Sequence, residues 1–254
     1  MSEIIINDLK INYEQKGDKG KDVILLHGWG QNLQMMDPIA EYLKNYFRVY
    51  NIDLPNFGKS DPLKEVYGVP EYTDVIHKFV VKLGIENPII IAHSFGCRIA
   101  FHYAHAYPVY KMVLTGAAGI REKANGLSTL RQSVYKFSKK VLLGLHQEEL
   151  LKKLQDKMGS EDYRNASGVL RQSFVKIVND DVSDLLKDIK CEVLLVHGEN
   201  DKAVPLSSAK KMEQLLPNCG LAIFENDDHF AYFHQAYRFN QVLYAFLKED
   251  FYVE

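Results

Sequence analysis

Two hydrophobic spacings alternate along the chain. Short unbroken apolar runs at Val23 to Leu26, Phe47 to Ile52, Pro88 to Ala92, Lys111 to Ala117, Glu192 to Val196 and Leu221 to Phe224 have the pattern of strands buried on both faces. Between them apolar residues recur at helical spacing. Val75, Phe79 and Leu83 predict a helix over Glu71 to Leu83 that Gly84 ends, and Ile99, Ala100, Tyr103 and Ala104 predict another running to Tyr107. Further helices are expected to end near Asn45 and to span Ser207 to Leu216, and a final one packs Phe239, Leu243 and Phe246 inward. The chain opens differently, with Glu3 to Ile6 and Lys10 to Glu14 joined through Asn7-Asp8 as a hairpin. Strand, helix and strand in alternation require right-handed crossovers and a mostly parallel sheet flanked by helices, here eight-stranded. A ligand site then falls at the carboxyl ends of the strands.

The alternation stops between Gly119 and Lys190. No strand pattern crosses this stretch, while Leu127 to Leu145, Glu148 to Met158 and Asp162 to Val178 predict amphipathic helices. The expected organisation is therefore a core of 1–118 and 191–254 with a helical insertion at 119–190. The insertion carries 14 Lys and Arg against 10 Asp and Glu, leaving it net positive and the remainder net negative. Exposed charges of both signs are normal on solvated helices, and the same excess could also meet an anionic partner.

Composition narrows the class. Over 254 residues, 46% hydrophobic and 25% charged residues describe an ordinary globule with a large core, and a net charge of -2 argues against a general nucleic-acid binder. No run is long and apolar enough to predict a membrane span, and the start M-S-E-I-I-I-N-D lacks a secretion-signal pattern, so a cytoplasmic location is expected. Cys97, Cys191 and Cys219 are odd in number and have no C-x-x-C spacing. They predict neither a disulfide framework nor a zinc site, and are expected to pack as small hydrophobes.

The chemistry centres on I-I-I-A-H-S-F-G-C at Ile89 to Cys97. A strand turns sharply into a helix with Ser94 at the apex, which exposes its hydroxyl beside the free N–H groups of the new helix. This stretch resembles the G-x-S-x-G nucleophile elbow of the α/β-hydrolase superfamily, with Ala92 in place of the first glycine. The resemblance extends over nearly the whole chain, through H-G-W-G at His27 to Gly30, D-L-P-N-F-G-K-S-D at Asp53 to Asp61, G-E-N-D-K-A-V-P at Gly198 to Pro205 and D-D-H-F at Asp227 to Phe230. Asn56 stands where that family usually has glycine, and asparagine tolerates the positive φ such a turn needs.

By this resemblance Ser94, Asp201 and His229 form a catalytic triad in the family's chain order, and the backbone N–H groups of Trp29 and Phe95 form the oxyanion hole. Glu199 has the wrong offset for the acid, and Asp227 and Asp228 adjoin the histidine too closely to reach its far ring nitrogen. The other histidines have structural readings: His27 braces a loop, His77, His102 and His105 lie inside predicted helices, His197 ends a strand, and His146 belongs to the insertion. Asp53 and Asp61 are expected to hold their loop by hydrogen bonds. The insertion corresponds to the cap that covers the active site in many superfamily members.

The resemblance implies a serine hydrolase acting on a small-molecule carboxylic ester or thioester through an acyl-enzyme, with no metal or organic cofactor. Serine at position 94 counts against dehalogenase or epoxide hydrolase chemistry, which uses aspartate there. H-G-W-G-Q-N followed by D-L-P-N-F-G-K-S is similar to pimeloyl-carrier-protein methyl ester esterases, and a basic cap could receive an acidic acyl carrier protein. Two alternatives stay open. Carbon–carbon bond hydrolases of meta-cleavage products share the cap and the D-L-P-x-F-G-x-S-D loop, although they usually carry tryptophan after the histidine, where this chain has Phe230. Some members of the fold bind ligands without turning them over.

Overall fold

The computed structural model describes residues 1–121 and 161–251, with the side chain of residue 161 excepted. Eight strands form one sheet: β1 (Ser2–Ile6), β2 (Leu9–Lys16), β3 (Asp22–Leu26), β4 (Arg48–Ile52), β5 (Ile89–His93), β6 (Lys111–Thr115), β7 (Glu192–Gly198) and β8 (Cys219–Phe224). Their spatial order is β1-β2-β4-β3-β5-β6-β7-β8. β1 pairs antiparallel with β2, and β2 with β4; every later pair is parallel. Asn7 and Asp8 close the opening hairpin at φ of 51° and 57°, the left-handed pair of a tight two-residue turn.

Alternate residues of each central strand enter opposite layers. Val23, Leu25, Ile89, Ile91 and Val113 face α1 (Asp37–Leu43) and the final helix α8 (Ala236–Leu247). Ile24, Leu26, Ile90, Ala92 and Met112 face α2 (Val69–Lys82) and α3 (Phe95–Ala106). Both layers are sealed, which is why these strands read as continuous apolar runs. Within the last helix Phe239 and Leu243 are buried as expected, whereas Phe246 is only half-buried and Leu247 takes the inner position.

Two expected helices, Leu127 to Leu145 and Glu148 to Met158, lie outside the described residues, as does His146. The third, Asp162 to Val178, is two helices: α4 (Glu161–Asn165) and α5 (Gly168–Val178). Ser167 interrupts them in extended backbone at φ -137° and ψ 164°. Buried Ala166 lies in the same break, and its carbonyl accepts from Arg171 Nε at 2.7 Å. Apolar periodicity continues through the interruption, so spacing alone does not reveal it.

The chain leaves and re-enters the core at one place. Val182 N–H donates to Gly119 O at 3.0 Å, and Val182, Leu186 and Ile189 are fully buried in the layer that holds α3. Two further helices, α6 (Leu206–Leu215) and α7 (Ala231–His234), flank the last strands. Among the described residues, no helix is long and apolar enough to cross a membrane.

Candidate active site

β5 ends at His93 and α3 begins at Phe95, so Ser94 alone makes the reversal. Its backbone has φ 50° and ψ -106°, a region that non-glycine residues occupy only under constraint. Two bonds hold it there: Ser94 N–H donates to Thr115 O at 3.0 Å, and Cys97 N–H donates to Ser94 O at 3.1 Å. Gly96 is required for close approach, because a Cβ there would lie 2.5 Å from Leu26 O and 2.9 Å from His27 O. The start of α3 is thereby pressed onto the end of β3, beside the His27–Gly30 loop.

The three expected side chains meet although they lie far apart in sequence. His229 Nε2 is 2.9 Å from Ser94 Oγ, and His229 Nδ1 is 2.6 Å from Asp201 Oδ2. Since a carboxylate only accepts, Nδ1–H donates to Asp201, and Nε2 is left to accept from the serine hydroxyl. Asp201 Oδ1 is occupied separately, accepting from Ala203 N–H and Val204 N–H, each at 2.8 Å. Burial disfavours the ionised Asp201, but the His229 and Val204 hydrogen bonds outweigh it and hold the carboxyl below its ordinary pKa. An acid whose ionised form is favoured, facing Nδ1, fixes one tautomer of His229.

The rivals are engaged elsewhere. Asp227 Oδ1 accepts from His234 at 2.9 Å and its Oδ2 from Gln235 at 2.8 Å, while Asp228 Oδ1 accepts from Phe230 N–H. Glu199 Oε2 accepts from Asn226 N–H. Asp53 receives Leu33 N–H, Lys59 N–H and the Asn12 amide, and Asp61 receives Lys10 N–H, so both are architectural. Asn56 has φ 73°, and its Oδ1 accepts from Leu63 N–H, which secures the turn as expected.

His27 is fully buried; it donates through Nδ1 to Gly28 O at 2.7 Å and accepts Leu54 N–H on Nε2 at 3.0 Å, bracing two loops together. Trp29 and Phe95 line the same cavity as Ser94. Phe95 opens α3, where N–H groups have no intrahelical acceptor. The Trp29 N–H has no acceptor among the described bonds. The Cys97, Cys191 and Cys219 thiols are free, and Cys97 is buried, as its packing role requires.

Three neighbours of the site escape motif reading. Gly116, at φ 51°, leaves room for His229: a Cβ there would stand 2.9 Å from both Cε1 and Nδ1 of the ring. His93 packs its ring 4.7 Å from that of His229 and is fully buried. Arg98, one turn along α3, reaches the cavity wall. A lone charge in the apolar run F-G-C-R-I-A-F was the available signal for Arg98. The other two carry none, because what they touch is decided by strand order. The cavity over Ser94 holds about 800 Å3, with Trp29, Phe95, Ile120, Phe174, Ile177 and Val204 among its apolar walls. That size suits a small organic substrate.

The chain belongs to the α/β hydrolase fold family, whose pattern matches residues 22–236. It is a hydrolase of that fold. It is 26% identical over 274 residues to the 2-hydroxy-6-oxononadienedioate/2-hydroxy-6-oxononatrienedioate hydrolase 2 of Pseudomonas putida, covering 95% of this chain and 92% of that one. It is also 25% identical over 252 residues to the pimeloyl-[acyl-carrier protein] methyl ester esterase of Vibrio cholerae serotype O1, covering 92% and 97%. A solved meta-cleavage product hydrolase from Pseudomonas fluorescens IP01 superposes with a TM-score of 0.75 at 25% identity over 98% of each chain.

Proposed function

We propose that this hydrolase cleaves a carboxylic ester or thioester through an acyl-enzyme on Ser94. The observation that carries the reading is the unbroken chain from Ser94 Oγ through His229 to Asp201, with contacts of 2.9 and 2.6 Å, at a strained serine on the cavity floor. His229 Nε2 takes the Ser94 proton as Oγ bonds to the substrate carbonyl carbon. The carbonyl oxygen becomes an oxyanion and accepts from Trp29 N–H and Phe95 N–H, each such donor contributing about 3 kcal/mol to transition-state binding. The imidazolium, its charge balanced by Asp201, gives its proton to the departing alcohol or thiol. Water then attacks the acyl carbon with His229 again as base, and Ser94 leaves with the proton. No step requires a metal or organic cofactor.

Turnover of short p-nitrophenyl esters tests this. We expect steady hydrolysis in the full chain, its loss in Ser94→Ala, and labelling of Ser94 by a fluorophosphonate. A folded protein that neither turns over the esters nor reacts with the probe refutes the reading and leaves a ligand-binding role.

Carbon–carbon bond cleavage is a second reading, favoured by the Pseudomonas putida relative. Phe230 after the histidine weighs against it. Parallel assays with ester and vinylogous diketone substrates rank the two; faster cleavage of the diketone reverses the order. Within the ester reading, similarity to the Vibrio cholerae esterase and the positive balance of 119–190 fit an acyl group delivered on an acidic acyl carrier protein, with 119–190 acting as a cap. The free thiols fit a reducing, cytoplasmic setting.

A further inference from the structure

Among the cavity residues that the proposed reaction does not use, Arg98 is the most costly to place. It is 9% exposed, lies on α3 four residues after Ser94, and shares the cavity wall with it. Most of the cavity wall is apolar, and its other polar members include Gln31, Asp162, Lys202 and Ser208. Removing a guanidinium from water costs several kcal/mol unless its fork of N–H donors finds acceptors.

The described protein supplies few of these. Arg98 Nη1 donates to the Asp180 backbone carbonyl, and the nearest carboxylate oxygen, Asp180 Oδ2, is 4.0 Å from the same nitrogen. That carboxylate is already shared, with its oxygens 3.1 and 3.0 Å from His102 Nε2. Asp181 turns to Arg121 N–H and Ser183 instead. Asp162, also on the cavity wall, sits against Gly30 at the other loop. Among the described residues, nothing else accepts from the Arg98 fork.

We propose that Arg98 is a specificity-determining residue that binds a carboxylate on the acyl portion of the substrate. The inference rests on the ester-hydrolase reading and names its substrate class: a half-ester of a dicarboxylic acid, whose free end completes the guanidinium fork while its ester carbonyl lies at Ser94. The Asp180 contact then serves to aim the guanidinium, and the apolar walls take the methylene chain between the two ends. Discrimination arises because a neutral acyl chain leaves the buried donors unmet, whereas a carboxylate meets them bidentately.

The test compares matched p-nitrophenyl esters of the full chain's substrates, neutral against acid-ended: hexanoate against the adipate half-ester, with the series from succinate to suberate setting the length. A charge-assisted pair predicts that kcat/KM favours the best acid-ended ester by about 10- to 100-fold, expressed mainly in KM. Arg98→Met should collapse that ratio, and Arg98→Lys should leave an intermediate one, since a point charge lacks the fork. A merely structural role for Arg98 would depress both esters together and leave the ratio intact. A wild-type ratio at or below one at every chain length overturns the inference while leaving the hydrolase reading standing. If no ester of either kind turns over, the ester-hydrolase reading fails, and calorimetry with hexanoate against hexanamide decides the rest. Tighter hexanoate binding that disappears in Arg98→Met then upholds the anion site, and equal binding ends it.

Discussion

Gly116→Ala is the sharpest probe of how the site is built, because it touches no reacting atom. The new Cβ would lie 2.9 Å from Cε1 and Nδ1 of His229 and 3.2 Å from the His229 carbonyl, where ordinary contact begins at 3.4 Å. The imidazole must therefore retreat by about 0.5 Å or the β6 end must yield. The ring has little slack. It is tied at both nitrogens, 2.6 Å from Asp201 and 2.9 Å from Ser94. A retreat of that size carries the Ser94 contact to the edge of hydrogen-bonding range. Misplacement of a catalytic group by about 1 Å costs roughly 100-fold, so half of that predicts a loss of about 10-fold or more in kcat.

Stability should respond far less. Alanine at φ 51° costs about 1 kcal/mol, or about 2–4 °C in Tm for a chain of this size. The informative comparison is with Gly220→Ala, where a Cβ would find nothing within 4 Å. That variant should keep both kcat and Tm. Measurement of p-nitrophenyl butyrate turnover beside calorimetric melting separates the two effects. A Gly116→Ala enzyme with kcat within about twofold of wild type and a lowered Tm would refute the idea that Gly116 exists to clear space for His229.

Two further outcomes follow from the loops around the site. His27 is fully buried and burial lowers its pKa to about 4, so between about pH 6.5 and 4 the unfolded chain holds a proton that the native state refuses. Stability is then fully present above that window and falls by up to about 3 kcal/mol as the pH drops through it; His27→Gln should unfold in urea with a shallower pH slope, and an unchanged slope would refute the assignment. Asn56→Ala loses the Leu63 N–H bond and keeps a φ of 73° with a Cβ, so it should destabilise by about 1–3 kcal/mol, whereas Asn56→Gly removes the strain and should cost less. Equal losses in the two variants would show that φ plays no part.

The legible portion of this fold is the portion written in local spacing. Ile89-Ile90-Ile91 and Val193 to Val196 announce buried strands because each side chain goes to one of two sealed layers. Strand order leaves no such mark: β4 lies outside β3 in the sheet although it follows it in the chain, and nothing in either run specifies the neighbour. The break at Ser167 was hidden for a related reason, since extended backbone at one serine does not disturb apolar periodicity. At the site, Ser94, Asp201 and His229 were readable from motif offsets and chain order. Gly116 and His93 were not, since each touches His229 only after β5, β6 and the loop beyond β8 have been brought together.

That convergence brings four histidines to one end of the sheet, and the proposed reaction needs only one of them to carry a proton. His27, His93 and His197 are all buried, and loss of hydration is the largest cause lowering each pKa. Their bonds agree with neutral rings: His27 accepts on Nε2, while His93 Nε2 and His197 Nδ1 have no partner that would welcome a proton. His197 Nε2 lies 3.5 Å from the same Asp201 oxygen but donates to Val204 O at 2.8 Å, whereas His229 has the carboxylate at 2.6 Å on one nitrogen and the Ser94 hydroxyl at 2.9 Å on the other, with part of its side chain still open to the cavity. A charge on His93, whose ring centroid is 4.7 Å from that of His229, would oppose the imidazolium that the proposed reaction creates. Burial of the surrounding histidines therefore does more than pack the sheet end, because it reserves the field of Asp201 for the one imidazole that faces Ser94.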